Sequence, residues 1–459
     1  MKQLSRRKKL LLWVVTGIGA PILYLAWGFI RAADPISISK ETTWQISPVH
    51  SSGYVDFTEE MNRQRNVNVP QNAALDDREY IAAVGAIDTL IAPLKNRERN
   101  EVLNWPPEVD KQLDRLIAFQ RNNLGVIEIP EIPNGARFQV PALESRRLQN
   151  FGDQILAYHR SFVPSLLKRA SYRLFQNDAA GALDDYVAAS ESQAFQFRQK
   201  SLLPVLFGIQ IHEEITADLA RNMHKGRMSP EQCRRILLSG PTLSRNDMQA
   251  TTNVMRMNSL NWVFLMHSRQ SSMSSTIGPV GTLDRWLRNG RDRWMVGNTD
   301  WNEICRHINQ YFDQADTHVV SLYDDDREPQ TIPTWHVPEN VGSWAWTRRG
   351  MTNVVRKQMS LFFENEWPIL VKSNQKYERC RVGFWWTTVL HEHFQQSGEY
   401  PASLEELGQE KPEIQKDTTV MQESVEYTKT ERGYSLSMGH GKYRMEWAVD
   451  GGPPERVSQ

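Results

Sequence analysis

About 21 consecutive residues, Leu10 to Ile30, carry no charged side chain and follow a basic start, Met1-Lys-Gln-Leu-Ser-Arg-Arg-Lys-Lys9. A run of that length crosses a hydrocarbon core as a helix, and it divides everything else in the chain into short inside and long outside parts. A cleaved secretory signal is the alternative, but its apolar region is shorter and ends in small residues at −3 and −1. Here a cut after Ala33 places Arg31 at −3, and a cut after Ala20 places Pro21 next, so a retained anchor is expected. The Ser5-Arg6-Arg7 pair lacks the context of a twin-arginine signal, because Lys9 stands where an aromatic is wanted.

Lys2, Arg6, Arg7, Lys8 and Lys9 precede the run, whereas only Arg31 follows it before Asp34. The positive-inside bias then keeps residues 1–9 cytoplasmic and sends the bulk of the chain to the periplasm or exterior. Trp13, Tyr24 and Trp27 fall toward the two ends of the run, where amphipathic rings favour the interface. The expected location is the cell membrane, single-pass.

Acidic and basic residues balance at 54 each. No global field draws the chain to nucleic acid, and the basic cluster is explained by topology, so no nucleic-acid partner is expected. Cys233, Cys305 and Cys380 lie far apart with neither CxxC nor metal spacing. They are compatible with one disulfide plus a free thiol or with three buried thiols. Fifteen tryptophans include a late group, Trp335, Trp344, Trp346, Trp367, Trp385 and Trp386. These suit a core, or a groove for a glycan or peptide.

Five regions follow: a cytoplasmic tail at 1–9, a transmembrane helix at 10–30, an extended tether at 31–54, a mainly helical domain at 55–350, and a C-terminal portion at 351–459. Pro35, Pro48 and Gly53 with many hydroxyl residues mark the tether. Helical periodicity is expected over Asp56 to Gln64, Asp76 to Leu94, and Glu108 to Asn122, where Val109, Leu113, Leu116 and Ile117 share a face. Gly125 to Pro141 reads as a connector.

From Glu144 to about Gln270 the pattern is helical almost throughout, as in a bundle or arc of antiparallel helices. Ser229-Pro-Glu-Gln232 forms a capping box with proline in the first turn, and Ser201 with Pro204 is a looser start. Phe175 to Tyr186 looks like one turn of a tetratricopeptide pair, but no 34-residue period recurs. Residues 271–350 are interrupted by glycine and proline, with Trp301 to Val320 as one helix. Asp324-Asp325-Asp326 lacks the alternating ligands and glycine of a calcium loop and is expected to be a solvated turn.

Met351 to Gln396 reads as one long helix with Pro368 as a potential break. In it Val382, Trp386, Val389 and His393 fall at helical spacing, which leaves His391 on the solvent side. Strands are expected at Ser424 to Lys429, Gly433 to Met438 and Lys442 to Val449. The fold class is therefore mainly α: an N-terminal transmembrane helix, a helical bundle or arc, and a C-terminal long helix packed on a small antiparallel β-sheet.

Leu390-His-Glu-His-Phe-Gln-Gln-Ser-Gly-Glu-Tyr-Pro-Ala-Ser-Leu-Glu-Glu-Leu407, with Val425-Glu-Tyr427 and Gly433-Tyr-Ser-Leu-Ser-Met-Gly439, resembles the end of a pseudopilin-like pattern, a helix closing in G-x-Y-P-x-S-L-x-x-L before strands. The order of elements also resembles a group of large membrane-anchored uncharacterised proteins of planctomycetes. Pro70-Gln-Asn-Ala-Ala74, Asn177-Asp178 with Ala182-Leu183, and Met228-Ser-Pro-Glu-Gln232 carry that likeness. The resemblance implies fold and location and no activity. The chain lacks the prepilin cleavage signature, so no assembly into a pilus is implied.

No catalytic, cofactor-binding or metal-binding residue is assigned, and no cofactor is expected. His212-Glu213-Glu214 begins like a zinc-protease helix, but the second histidine of H-E-x-x-H falls at Thr216. His391 and His393 are two apart and diverge by about 200° on a helix. Asp184-Asp185 and Glu405-Glu406 are adjacent rather than facing, so they make no glycosidase dyad. The expected function is a non-catalytic membrane-anchored scaffold that binds a protein of the cell envelope. A hydrolase with a site assembled from distant residues, and a glycan-binding module, are the alternatives.

Overall fold

A computed structural model describes residues 34–45, 55, 57, 60, 105–122, 162–273, 294–324, 332–335, 347–407, 418–420, 423–430, 433–438, 445–448 and 455–456. The apolar run, the helix expected at Asp76 to Leu94, the connector at Gly125 to Pro141 and most of the late glycine-rich stretch lie outside these residues. Among the described residues no helix is long and apolar enough to cross a membrane.

The helices are α1 (Lys40–Thr43), α2 (Pro107–Asn122), α3 (Phe162–Phe175), α4 (Ala179–Arg198), α5 (Leu202–His224), α6 (Pro230–Ser239), α7 (Arg245–Met273), α8 (Trp301–Leu322) and α9 (Arg348–Ser397). A 3₁₀ turn at Leu404–Leu407 precedes strands β1 (Val425–Lys429), β2 (Tyr434–Met438), β3 (Met445–Ala448) and β4 (Glu455–Arg456). The protein is mainly helical with a small antiparallel sheet, as the pattern predicts, and β4 is an addition to the expected strands.

Local chemistry explains the boundaries. Asn177 takes a left-handed φ of 62°, and the Asp178 carboxylate accepts the Gly181 N–H at 2.9 Å, so α3 turns directly into α4. At α6 the capping box forms as read: Ser229 Oγ accepts from Gln232 N at 3.1 Å, and Gln232 Oε1 accepts from Ser229 N at 2.9 Å. Ser201 sits at the N-cap of α5 but makes no side-chain cap bond.

The longest element is α9, with 50 residues. Thr347 caps its start by accepting the Gly350 N–H at 3.0 Å, and Gly398 ends it at φ 81°, returning its N–H to the Phe394 carbonyl at 2.8 Å. Pro368 lies inside and does not end it. The neighbouring Trp367 and Leu370 are fully buried, and that packing offsets the lost backbone bond.

Among the described residues three apolar clusters make the core, and α9 enters each of them. The first joins α7, α8 and the first half of α9 through Leu260, Ile304, Phe312, Val355, Trp367 and Leu370, with Val55 and Phe57 added. The second joins α2 to α6 and receives Phe384 from α9. The third joins Val382, Trp386 and Leu390 of α9 to Tyr434, Leu436 and Met438 of β2. The sheet is a meander in the order β1-β2-β3-β4, with Val425 opposite Met438, Ser435 opposite Ala448 and Trp447 opposite Arg456.

The stripe on α9 that faces the sheet is thus 382, 386 and 390, not the one ending at His393. His391 is buried at 8% exposure and His393 only half-buried, which corrects the expectation of an exposed His391. The reason is that the sheet and α5 cover α9 from two sides, so its apolar arc is wider than a single stripe.

Of the expected tether at 31–54, residues 34–45 are described, and they are docked on the body. Residues 34–45 lie along α8: Ser37 N donates to Asn302 Oδ1 at 2.8 Å, Asn302 Nδ2 to the Pro35 carbonyl at 3.2 Å, and Asn309 Nδ2 to the Glu41 carbonyl at 2.9 Å. Ile36, Ile38 and Trp44 pack on the first cluster. Proline and hydroxyl content signals extended backbone, and extended backbone is equally suited to docking.

Candidate functional site

Several buried polar groups converge along one seam, where α9 meets α4, α5 and the residues ahead of β1. Tyr377 is fully buried; its hydroxyl donates to the Pro241 carbonyl at 2.5 Å and accepts from Gln193 Nε2 at 3.3 Å. The His212 ring meets it edge-on at 4.7 Å, and the Arg381 guanidinium lies 5.7 Å over its face. Burial pushes the Tyr377 phenol up to about 12. Gln196, on the same face of α4 as Gln193, is fully buried, and neither amide atom meets a hydrogen-bond partner among the described residues.

One residue on, Glu378 is 2% exposed and accepts both the N–H, at 2.8 Å, and the hydroxyl of Thr419. Burial raises its carboxyl to about 7, against the opposing pull of those bonds and of Arg381. Arg379 then grips Glu423 with two parallel bonds, at 2.7 and 2.5 Å. Adjacent residues of one helix therefore hold Thr419 and Glu423, which precede β1. Asn374 Nδ2 donates to the Tyr323 hydroxyl at 3.1 Å, which donates to the Leu243 carbonyl at 3.1 Å and ties α8 into the same seam.

Farther along α9, His391 Nδ1 lies 3.0 Å from the Thr387 carbonyl and 3.5 Å from the Tyr434 hydroxyl. Its ring meets those of His224 at 6.1 Å and Tyr400 at 6.0 Å. Burial holds it below the usual histidine range. Arg234 of α6 reaches Glu392 and Thr388, so α6 is pinned to the same end.

Two further networks lie inside the α2–α5 layer. Arg169, 1% exposed, bonds Asp185 through Nη2 at 2.7 Å and Nε at 3.0 Å, and Asp114 through Nη1 at 2.8 Å. Burial pushes Asp185 up to about 6 even so. Asp218 Oδ2 accepts from Tyr186 at 2.7 Å and Ser171 at 3.2 Å, while Asn222 donates to the Tyr186 hydroxyl at 3.0 Å. Each network links different helices.

The residues weighed as catalytic fall in separate places. His212 belongs to the Tyr377 seam; Thr216, where a second zinc histidine would stand, bonds its own helix carbonyl at His212, 2.8 Å away, and touches Cys380 Sγ at 3.4 Å. Asp184 is exposed while Asp185 is buried, and both Glu405 and Glu406 are exposed. Asp325 and Asp326 lie outside the described residues. Among the described residues no group of three or more histidine, cysteine or acidic side chains is placed to hold a metal ion.

All three cysteines are free and buried, so no disulfide links them. Trp335, Trp367 and Trp386 are buried and Trp385 half-buried, so these four offer no surface platform for a glycan; Trp344 and Trp346 lie outside the described residues. The clamp at Glu378–Arg379 escapes sequence reasoning because its signal, two opposite charges inside an apolar helical pattern, has no spacing rule. Comparison of the chain with protein families, curated proteins and solved structures finds no match.

Proposed function

We propose that the protein is a membrane-anchored extracytoplasmic scaffold that binds another protein of the cell envelope. The observation that carries this reading is that one continuous 50-residue helix contributes core side chains to all three apolar clusters. A helix used in this way couples two helical layers and a sheet into one body. The buried charges serve the same end: Arg169 joins α2 to α4, Arg256 joins α7 to α8, and Arg379 joins α9 to the strand-leading segment.

The anchor is Leu10 to Ile30, with residues 1–9 cytoplasmic and the body outside, on the strength of the uncharged run and its flanking charge. The pseudopilin-like reading of residues 351–459 is supported by a long helix that ends at Gly398 and returns as an antiparallel meander. Exposed apolar side chains such as Phe175, Leu238 and Ile369 are scattered, so none of them by itself marks the partner's surface.

Crosslinking in native membranes, followed by purification of the full chain and mass spectrometry, tests the proposal. A stoichiometric, reproducible protein partner is the expected result. Recovery of the bare protein overturns it.

A further inference from the structure

The seating of residues 34–45 has a geometric consequence for the membrane, which rests on the proposed anchor. Asp34 is fixed to the body at one point from three sides. Its carboxylate pairs with Arg348 in the first turn of α9, its carbonyl lies 3.0 Å from His267 Nε2 of α7, and Arg348 also reaches Asp300, the N-cap of α8, at 3.3 Å. His267 in turn meets Trp301 edge-on at 6.3 Å.

From there the strap follows α8 in the same direction. Asn302 holds Pro35 and Ser37, Asn309 holds Glu41, and Arg256 lies 4.7 Å over the Trp44 ring beside Phe312. Arg256 is itself held by Asp313 and Asp316, each at 2.9 Å. Thr42 and Thr43 are buried. The strap is held along its length by polar bonds and by its packing on the body.

Only four peptide steps separate Ile30 from Asp34, a reach of no more than about 14 Å even when fully extended. The headgroup layer outside the hydrocarbon is itself roughly 5–8 Å thick on each side. Asp34 therefore stands within or just above the headgroups. Both α8 and α9 begin beside it and run away from it, and α7 comes back toward it, so it lies at an end of that layer and not on its flank.

We infer that the first turns of α8 and α9 form a membrane-facing surface whose occupant is the phospholipid headgroup layer, and that the sheet-bearing end of α9 is held away from it. Arg306 and Arg349 are exposed at this end. Gln396 lies 47 residues beyond Arg349 on α9, about 70 Å along the helix.

The test uses the full chain in phosphatidylcholine vesicles that contain a lipid with a quencher on its headgroup. A fluorophore is placed at Arg349→Cys or Gln396→Cys, the three native thiols being buried. Vesicle flotation is measured first: a chain that does not float with the lipid refutes the anchor, and the inference with it. For a chain that floats, quenching at position 349 several-fold above that at 396 is the expected result. Inserting ten glycine and serine residues between Ala33 and Asp34 should then abolish the difference while leaving the fold intact. Equal quenching at both sites, or an insertion without effect, overturns the inference while leaving the anchor standing.

Discussion

Replacing Glu378 with glutamine removes a charge and keeps the shape, which makes the seam's electrostatics measurable. Burial raises this carboxyl from 4.5 to about 7 in the folded protein. A raised folded value means that the folded state holds the proton more tightly than the unfolded chain. The associated stability is therefore fully present below 4.5 and is lost as pH rises through about 7. Each tenfold gain in proton affinity on folding corresponds to about 1.4 kcal/mol, so between pH 5 and pH 8 the wild-type chain should lose about 2–3 kcal/mol from this group. Glutamine retains an oxygen for the Thr419 N–H and hydroxyl and has nothing to ionise. Urea unfolding of both full chains in mild detergent, followed by tryptophan fluorescence, should give similar stability at pH 5 and a variant more stable by that margin at pH 8. Asp185 and Asp316, both raised to about 6, add a slope of the same sign to each protein and cancel in the difference. A variant that is less stable at pH 8, or a difference independent of pH, would refute the argument that burial dominates at Glu378.

Three further outcomes follow from packing. Gly208→Ala places a Cβ 2.4 Å from Cε1 of the buried Phe197 ring, and the overpacking should cost about 1–3 kcal/mol by the same unfolding assay. Arg169→Ala leaves Asp185 buried beside a reduced set of partners, so a loss of about 3–5 kcal/mol is expected, smaller below pH 6 where Asp185 takes up a proton. Trp386→Ala empties the contact between α9 and β2, and hydrogen exchange should show faster opening of β1 and β2 while α7 and α8 keep their protection.

How far the fold can be read from the chain depends on the range of the interactions involved. The capping box at Ser229, the stop at Gly398 and the strands at 425–438 are legible because each depends on a few neighbouring residues. The His391 side of α9 is not, because its burial depends on β2, more than forty residues away, closing over it: Tyr434 lies 43 positions on. The docking of the strap is hidden for a similar reason, since its bonds to Asn302 span 265 residues. The three cysteines, open between two arrangements, are free and buried in α6, α8 and α9. The clamp at Glu378 and Arg379 stays hidden, because charged residues in a helical pattern ordinarily face water and only the fold brings Thr419 and Glu423 to them.

If α9 joins the three described clusters as a single rigid member, its two ends stand at a fixed distance. Spin labels at Arg349→Cys and Gln396→Cys in the full chain, read by double electron–electron resonance, measure it directly. A narrow distribution at about 65–70 Å is predicted from 47 residues of helical rise. A broad distribution, or one centred well below that distance, would mean that the helix breaks at Pro368 and that the scaffold is two bodies on a hinge.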